Sequence, residues 1–132
     1  MHRFALAATV LAGVHGLIHL IGFIAYWPLA SVPDLAYKTT LLGSSWNLGA
    51  QGMHLYSVFW LVAAAGFALA SLEMLTHKQH WRVYVLSITS LSLVITLLDW
   101  QFAFPGAVID LIILAVLLAS PMLAHRSMLA AE

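Results

Sequence analysis

The 132-residue chain has no cysteine. That excludes disulfides, thiol catalysis, Cys-ligated metal clusters and lipidation at Cys. Charge is scarce as well: 8% of residues are Asp, Glu, Lys or Arg, against roughly 25% in soluble domains. Five basic and five acidic residues give a net charge of zero. There is therefore no basic field for nucleic acid and no polybasic segment for anionic lipid. Hydrolytic motifs are missing too. His15-x-x-x-His19 has the histidine spacing of a metalloprotease helix, but Gly16 stands where the general-base Glu belongs. Gly43-Ser44-Ser45 and Gly49-Ala50-Gln51-Gly52 carry no nucleophile elbow. No enzyme motif remains, and no internal repeat is present.

What is present is apolar sequence: 63% of residues are hydrophobic, in runs near the ~20 residues a membrane-spanning helix needs. The reading is an all-α, four-transmembrane-helix bundle forming one integral membrane domain. Helices are expected at about 4–27, 47–75, 81–100 and 105–123, with one sizeable loop at 28–46. The first run continues to Trp27, past any plausible cleavage site, so it reads as an uncleaved helix rather than a signal peptide. Pro28 and Pro33 end it. Ser44, Ser45 or Asn47 is placed to cap helix 2. Gln101–Gly106 reads as a tight connection, with Pro105 in the first turn of helix 4. The 28–46 loop is long enough to form a lid on the membrane surface.

Arg3, Lys78, Arg82 and Arg126 fall on one side of this arrangement and only Lys38 on the other. The positive-inside rule then puts both termini in the cytoplasm and the 28–46 loop outside.

Two imidazoles, His15 and His19, lie in the middle of the first apolar run and share one helix face. Ionisable groups at that depth are costly unless partnered. The same stripe holds Ala8, Ala12, Gly22 and Tyr26, so it should face the bundle, with Gly13, Gly16 and Gly22 as packing notches. On helix 2, His54, Ser57, Leu61, Ala64, Ala68 and Ser71 share a face; on helix 3, Thr89, Ser92, Thr96 and Asp99 fall in one narrow arc that should point inward. Glu73, His77, Lys78, His80 and Arg82 make a polar connector between them.

Placed by depth, His19, His54, Asp99 and Asp110 come from four helices and all fall in the outer half, with His15 about 6 Å deeper than His19. Two imidazoles and two carboxylates suit a divalent metal, Zn, Mn or Fe, held by His19, His54, Asp99 and Asp110. His15, His19 and His54 could instead ligate haem or a chlorin magnesium, or a His/Asp chain could relay protons. Equally, the imidazoles could donate to carbonyls or to Asp, with His54 and Asp99 in the wet interface.

The stretch Val14-His15-Gly16-Leu17-Ile18-His19-Leu20-Ile21-Gly22-Phe23 resembles the first helix of DoxX-like proteins, small four-helix bacterial membrane proteins. Chain length and helix count agree. That family commonly has Lys where His19 stands and an acidic residue early in helix 2, where this chain has Gln51 and His54. The resemblance implies a bacterial inner-membrane protein with a link to quinone-associated redox chemistry, and transfers no catalytic residue. Three functions follow, in this order: a non-catalytic accessory subunit of a larger membrane assembly, a metal-, haem- or chlorin-binding redox protein, and a proton-coupled carrier or channel acting as an oligomer. The expected partners are the lipid bilayer and other membrane subunits or further copies of the chain, not nucleic acid.

Overall fold

The computed structural model describes residues 2–76 and 79–129. The regular structure of the described residues is helical apart from one small hairpin and an isolated bridge between Val32 and Leu35 in the loop. In chain order the elements are α1 His2–Tyr26, β1 Thr40–Leu41, β2 Trp46–Asn47, α2 Gly49–Leu75, α3 Trp81–Leu98 and α4 Trp100–Leu129. All four helices are long and apolar enough to cross a bilayer, over Leu6–Tyr26, Gly49–Leu75, Trp81–Leu98 and Trp100–Ala119. His77 and Lys78 of the polar connector lie outside the described residues.

The largest departure from the sequence reading is at the α3–α4 corner. The expected connection over 101–105 is helical, and α4 starts at Trp100 rather than 105. Asp99 alone makes the turn, its carbonyl accepting the N–H groups of Phe102 and Ala103. Pro105 therefore sits in the second turn, where its missing N–H removes one bond near the helix start and not a run of them. α4 also continues through Pro121 to Leu129, beyond the expected end at 123. At α2 the helix begins at Gly49, and the Asn47 side-chain oxygen accepts the Gly49 N–H at 2.9 Å.

Helices pack side by side in chain order, α1 on α2, α2 on α3 and α3 on α4, while α1 and α4 meet only loosely and leave a seam. The expected inward stripe of α1 is buried at Ala12, His15, His19, Gly22 and Tyr26; at its start Thr9 is buried and Ala8 exposed. The polar arc of α3 is buried throughout: Thr89, Ser92, Thr96 and Asp99 are all at most 2% exposed. Of the side chains expected toward lipid, Leu97 is exposed and Leu86 and Leu93 half-buried. On α2 the expected face is buried in part, at Ser57, Ala64 and Ser71, with His54 half-buried and Leu61 and Ala68 exposed; the buried face is centred to one side of it, where Met53, Tyr56, Trp60, Ala63 and Phe67 fill the core. Large apolar side chains that lipid would solvate equally well gave no signal for that offset.

The 28–46 loop folds over one end of the bundle. Its hairpin pairs Thr40 with Asn47 and Leu41 with Trp46, through a turn with positive φ at Leu42, Gly43 and Ser44. Leu41 is buried, and the Leu42 N–H donates to the last carbonyl of α3, Leu98, at 2.9 Å. This is the loop end; the opposite, terminal end is where α1 starts and α4 finishes.

α1 and α2 approach closely at Gly16. A Cβ there would lie 2.6 Å from Phe67 Cβ and 3.2 Å from the Ala64 carbonyl, whereas one at Gly13 would meet only Ser71 Oγ at 3.5 Å. Both changes to Ala gain the same helix propensity. Gly16→Ala is therefore expected to destabilise by about 1–3 kcal/mol through overpacking, and Gly13→Ala to be neutral or stabilising. Thermal unfolding of both variants in mild detergent checks this; equal stabilities would refute the close approach.

Candidate functional site

The polar groups of α1, α3 and α4 meet at mid-bundle. His15 and Asp110 both lie about ten residues in from the loop end, roughly 15 Å at helical rise, which is half the ~30 Å hydrocarbon core. His15 Nε2 is 2.9 Å from Asp110 Oδ1. One turn nearer the loop end, His19 Nδ1 donates to the His15 carbonyl at 2.9 Å, and His19 Nε2 lies 2.7 Å from Ser92 Oγ. Ser92 Oγ is 2.7 Å from Asp110 Oδ2, and Thr96 Oγ1 reaches the same oxygen at 3.3 Å. All five side chains are at most 3% exposed. The spacing of four between His15 and His19, and between Ser92 and Thr96, puts each pair on one helix face.

Hydrogen-bond bookkeeping constrains the protons. A carbonyl only accepts, so His19 Nδ1 carries a proton. His15 Nδ1 is buried without a partner. A proton there would be a buried N–H with nothing to bond, so His15 carries its proton on Nε2 and donates to Asp110. Ser92 has one hydroxyl proton for two partners, which leaves two arrangements on the same heavy atoms. In one, His19 donates to Ser92 and Ser92 to the Asp110 carboxylate. In the other, a protonated Asp110 donates to Ser92 and Ser92 to His19. They differ by one proton moved through the hydroxyl, and the group as a whole is uncharged in both. That fits a site where a net charge would be expensive to bury.

A second cluster closes the loop end. Asp99, 2% exposed, accepts from Tyr26 Oη on one carboxylate oxygen and from Lys38 Nζ on the other. The Lys38 ammonium also lies 4.4 Å from the centre of the Phe102 ring. The one cation of the loop is thus the partner of the corner carboxylate.

Between the clusters, a cavity of about 210 Å³ opens sideways through the α1–α4 seam. Ile18 and Ile21 of α1 and Phe102 and Pro105 of α4 form its exposed apolar rim; His15, His19, Trp60, Thr96 and Asp99 lie deeper.

The chain matches no protein-family model, no curated protein and no solved structure.

Of the residues expected to form a site, the structure brings His15, His19 and Asp110 together. Asp99 stands apart with Tyr26 and Lys38. His54 stands apart as well: it is half-buried, stacked on Trp27 at 5.2 Å between ring centres and 6.5 Å from Tyr37. The ring neighbours of His19 are instead His15, Trp60 and Phe67. Both His19 nitrogens are engaged, both Asp99 oxygens are held, and the described residues contain no group of three or more His, Asp or Glu placed to hold one ion. As arranged, these side chains do not fit a divalent metal, and His19 could ligate haem or chlorin only by giving up Ser92. The metal set His19, His54, Asp99 and Asp110 rested on shared depth. Depth failed for Asp110 because α4 starts five residues earlier than expected, which carries that carboxylate ~7.5 Å deeper, level with His15.

Ser92 is the residue whose role was missed; it read as one member of a polar arc. Ser92→Ala is expected to destabilise by about 1–3 kcal/mol, because His19 and Asp110 each lose a buried partner. Ser90→Ala, in the same helix, removes only an exposed hydroxyl bonded to the Leu86 carbonyl and should stay within ~0.5 kcal/mol. Denaturation of the two variants side by side measures the difference, and equal losses would contradict the network.

Proposed function

We propose that the chain is an accessory protein of a redox assembly in the bacterial inner membrane, and that it offers a lipid-phase ring compound of the quinol type a hydrogen-bonding, proton-exchanging site on the α1–α4 seam. One observation supports this most directly: the loop-end cavity opens between two membrane-spanning helices, yet His15, His19, Thr96 and Asp99 line it. Water-soluble ligands do not arrive through a bilayer's side. A flat apolar ring with hydroxyl or carbonyl groups can enter there and still find polar partners. Losing two electrons to a partner's redox centre would make a quinol release two hydroxyl protons, and each proton that the His19–Ser92–Asp110 chain takes up has to be matched by one that it passes on, which keeps the buried chain uncharged. No electron carrier is needed within this chain, which keeps its role accessory. The chemistry of the resemblance at Val14–Phe23 agrees with this reading.

Orientation belongs to the same proposal. Lys/Arg asymmetry puts both termini in the cytoplasm and the loop end outside. Reporter fusions at the C-terminus and in the 28–46 loop test it, and an external C-terminus would reverse the topology.

Trp60 lines the cavity and supplies a probe. Titrating a short-chain quinone into detergent-solubilised protein should quench tryptophan emission saturably. The quenching should be largely lost in Trp60→Phe, and the apparent affinity should fall tenfold or more when Ile18→Trp fills the rim. Linear, unsaturable quenching that is the same in all three proteins would sink the proposal.

A further inference from the structure

The α1–α4 seam has a second cavity, beyond the His15–Asp110 bridge toward the terminal end. Its volume is about 420 Å³ and its lining is apolar apart from one residue, with Leu11 and Ala12 of α1 and Ile112 and Val116 of α4 beside Val85 and Trp81 of α3. One charged side chain lines it, Arg82. Arg82 is half-buried, and its Nη2 donates to the Leu117 carbonyl of α4 at 2.6 Å. Among the described residues no carboxylate lies within ion-pair distance of this guanidinium: Asp110 is bonded by the neutral His15 and Asp99 by Lys38. Glu73, the acidic residue nearest in sequence, makes no ion pair with it.

We infer that this cavity binds one anionic phospholipid, with an acyl chain in the apolar seam and the phosphodiester on Arg82. Three observations converge. Arg82 is the second residue of α3, so it sits at the membrane edge, where headgroups lie, and Trp81 beside it has the side chain enriched at that depth. From Arg82 the groove leads inward past Val85, one helical turn deeper, toward Ala12 and Ile112; head and tail are thus arranged as in a lipid. The guanidinium has five N–H donors, of which one bond is committed, and its fork matches two phosphate oxygens. Basic pockets between spanning helices bind anionic headgroups in this way. A partner helix would fill the groove equally well but would leave the cation unpaired unless it brought a carboxylate to the same depth. The inference does not depend on what the loop-end cavity takes.

Native mass spectrometry of the full chain, released from detergent doped with phosphatidylglycerol or with phosphatidylcholine of the same acyl chains, reads the site. Phosphatidylglycerol should be retained at least tenfold more strongly. Arg82→Gln should abolish that preference and Arg82→Lys should keep part of it. Ala8→Phe narrows the groove from an exposed α1 position and leaves the guanidinium in place; it should weaken retention of both lipids. Inorganic phosphate alone should not bind detectably. Equal retention of the two lipids, a preference that survives Arg82→Gln, or phosphate binding as tightly as the lipid would each overturn the inference. Should Arg82→Gln fail to fold, Ala8→Phe still decides, since unchanged phosphatidylglycerol retention there overturns it.

Discussion

Asp110 is the group on which the rest of the bundle depends. A carboxyl at mid-membrane has no water to turn to, so every partner must come from protein. It obtains them from two other helices: His15 on α1, and Ser92 and Thr96 on α3. α1 and α4, which are not among the closely packed helix pairs, are joined at mid-depth by this bond. Removing one side of a buried hydrogen bond typically costs about 1–3 kcal/mol, and more when the group left unsatisfied is charged. That magnitude exceeds any single apolar contact across the seam, so the polar bridge, more than shape complementarity, sets the register of α4 against α1.

The same bridge divides the seam. Toward the loop end lies the smaller cavity, with polar side chains behind an apolar rim; toward the terminal end lies the larger, apolar one with Arg82 at its edge. Only 17% of the α4 span is buried, against 33% of α1 and of α2. α4 therefore meets lipid or a partner over most of its surface, and the seam it forms with α1 is the natural lateral entrance. The Lys38–Asp99–Tyr26 cluster and the hairpin bond to Leu98 seal the end of that entrance from above. Sideways entry, a polar lining and an uncharged proton-sharing chain make one consistent site.

Much of this arrangement can be read in the residues themselves. Four apolar runs specify four helices, and the α1 and α3 polar stripes mark inward faces because lipid offers hydroxyls and imidazoles no bonds. The α2 face was legible only at its small residues, Ser57, Ala64 and Ser71; its large ones gave no direction, since Leu61 and Trp60 are both at home in lipid or in a core. Pairing was harder still. Depth is counted from helix starts, and Pro105, taken as a first-turn residue, displaced the start of α4 and with it Asp110. His54 shared its depth with Asp99 but not its direction, and spacing along one helix says nothing about rotation against another. The Asp99 partnership required the path of the loop, which no periodicity encodes. Tyr26 was visible on the His15–His19–Gly22 stripe; what lay opposite it was not.

The central claim is the proton bookkeeping of the buried network, and nitrogen NMR of the histidine side chains reads it directly. Protein labelled at histidine nitrogens and reconstituted in bilayers would be compared with His15→Gln and His19→Gln variants to assign the signals. A proton on His15 Nε2 with none on Nδ1, and a proton on His19 Nδ1, is the predicted result. A proton on His15 Nδ1, or an unprotonated His19 Nδ1, would contradict the account, because the first buries an N–H without an acceptor and the second leaves the His15 carbonyl without its donor.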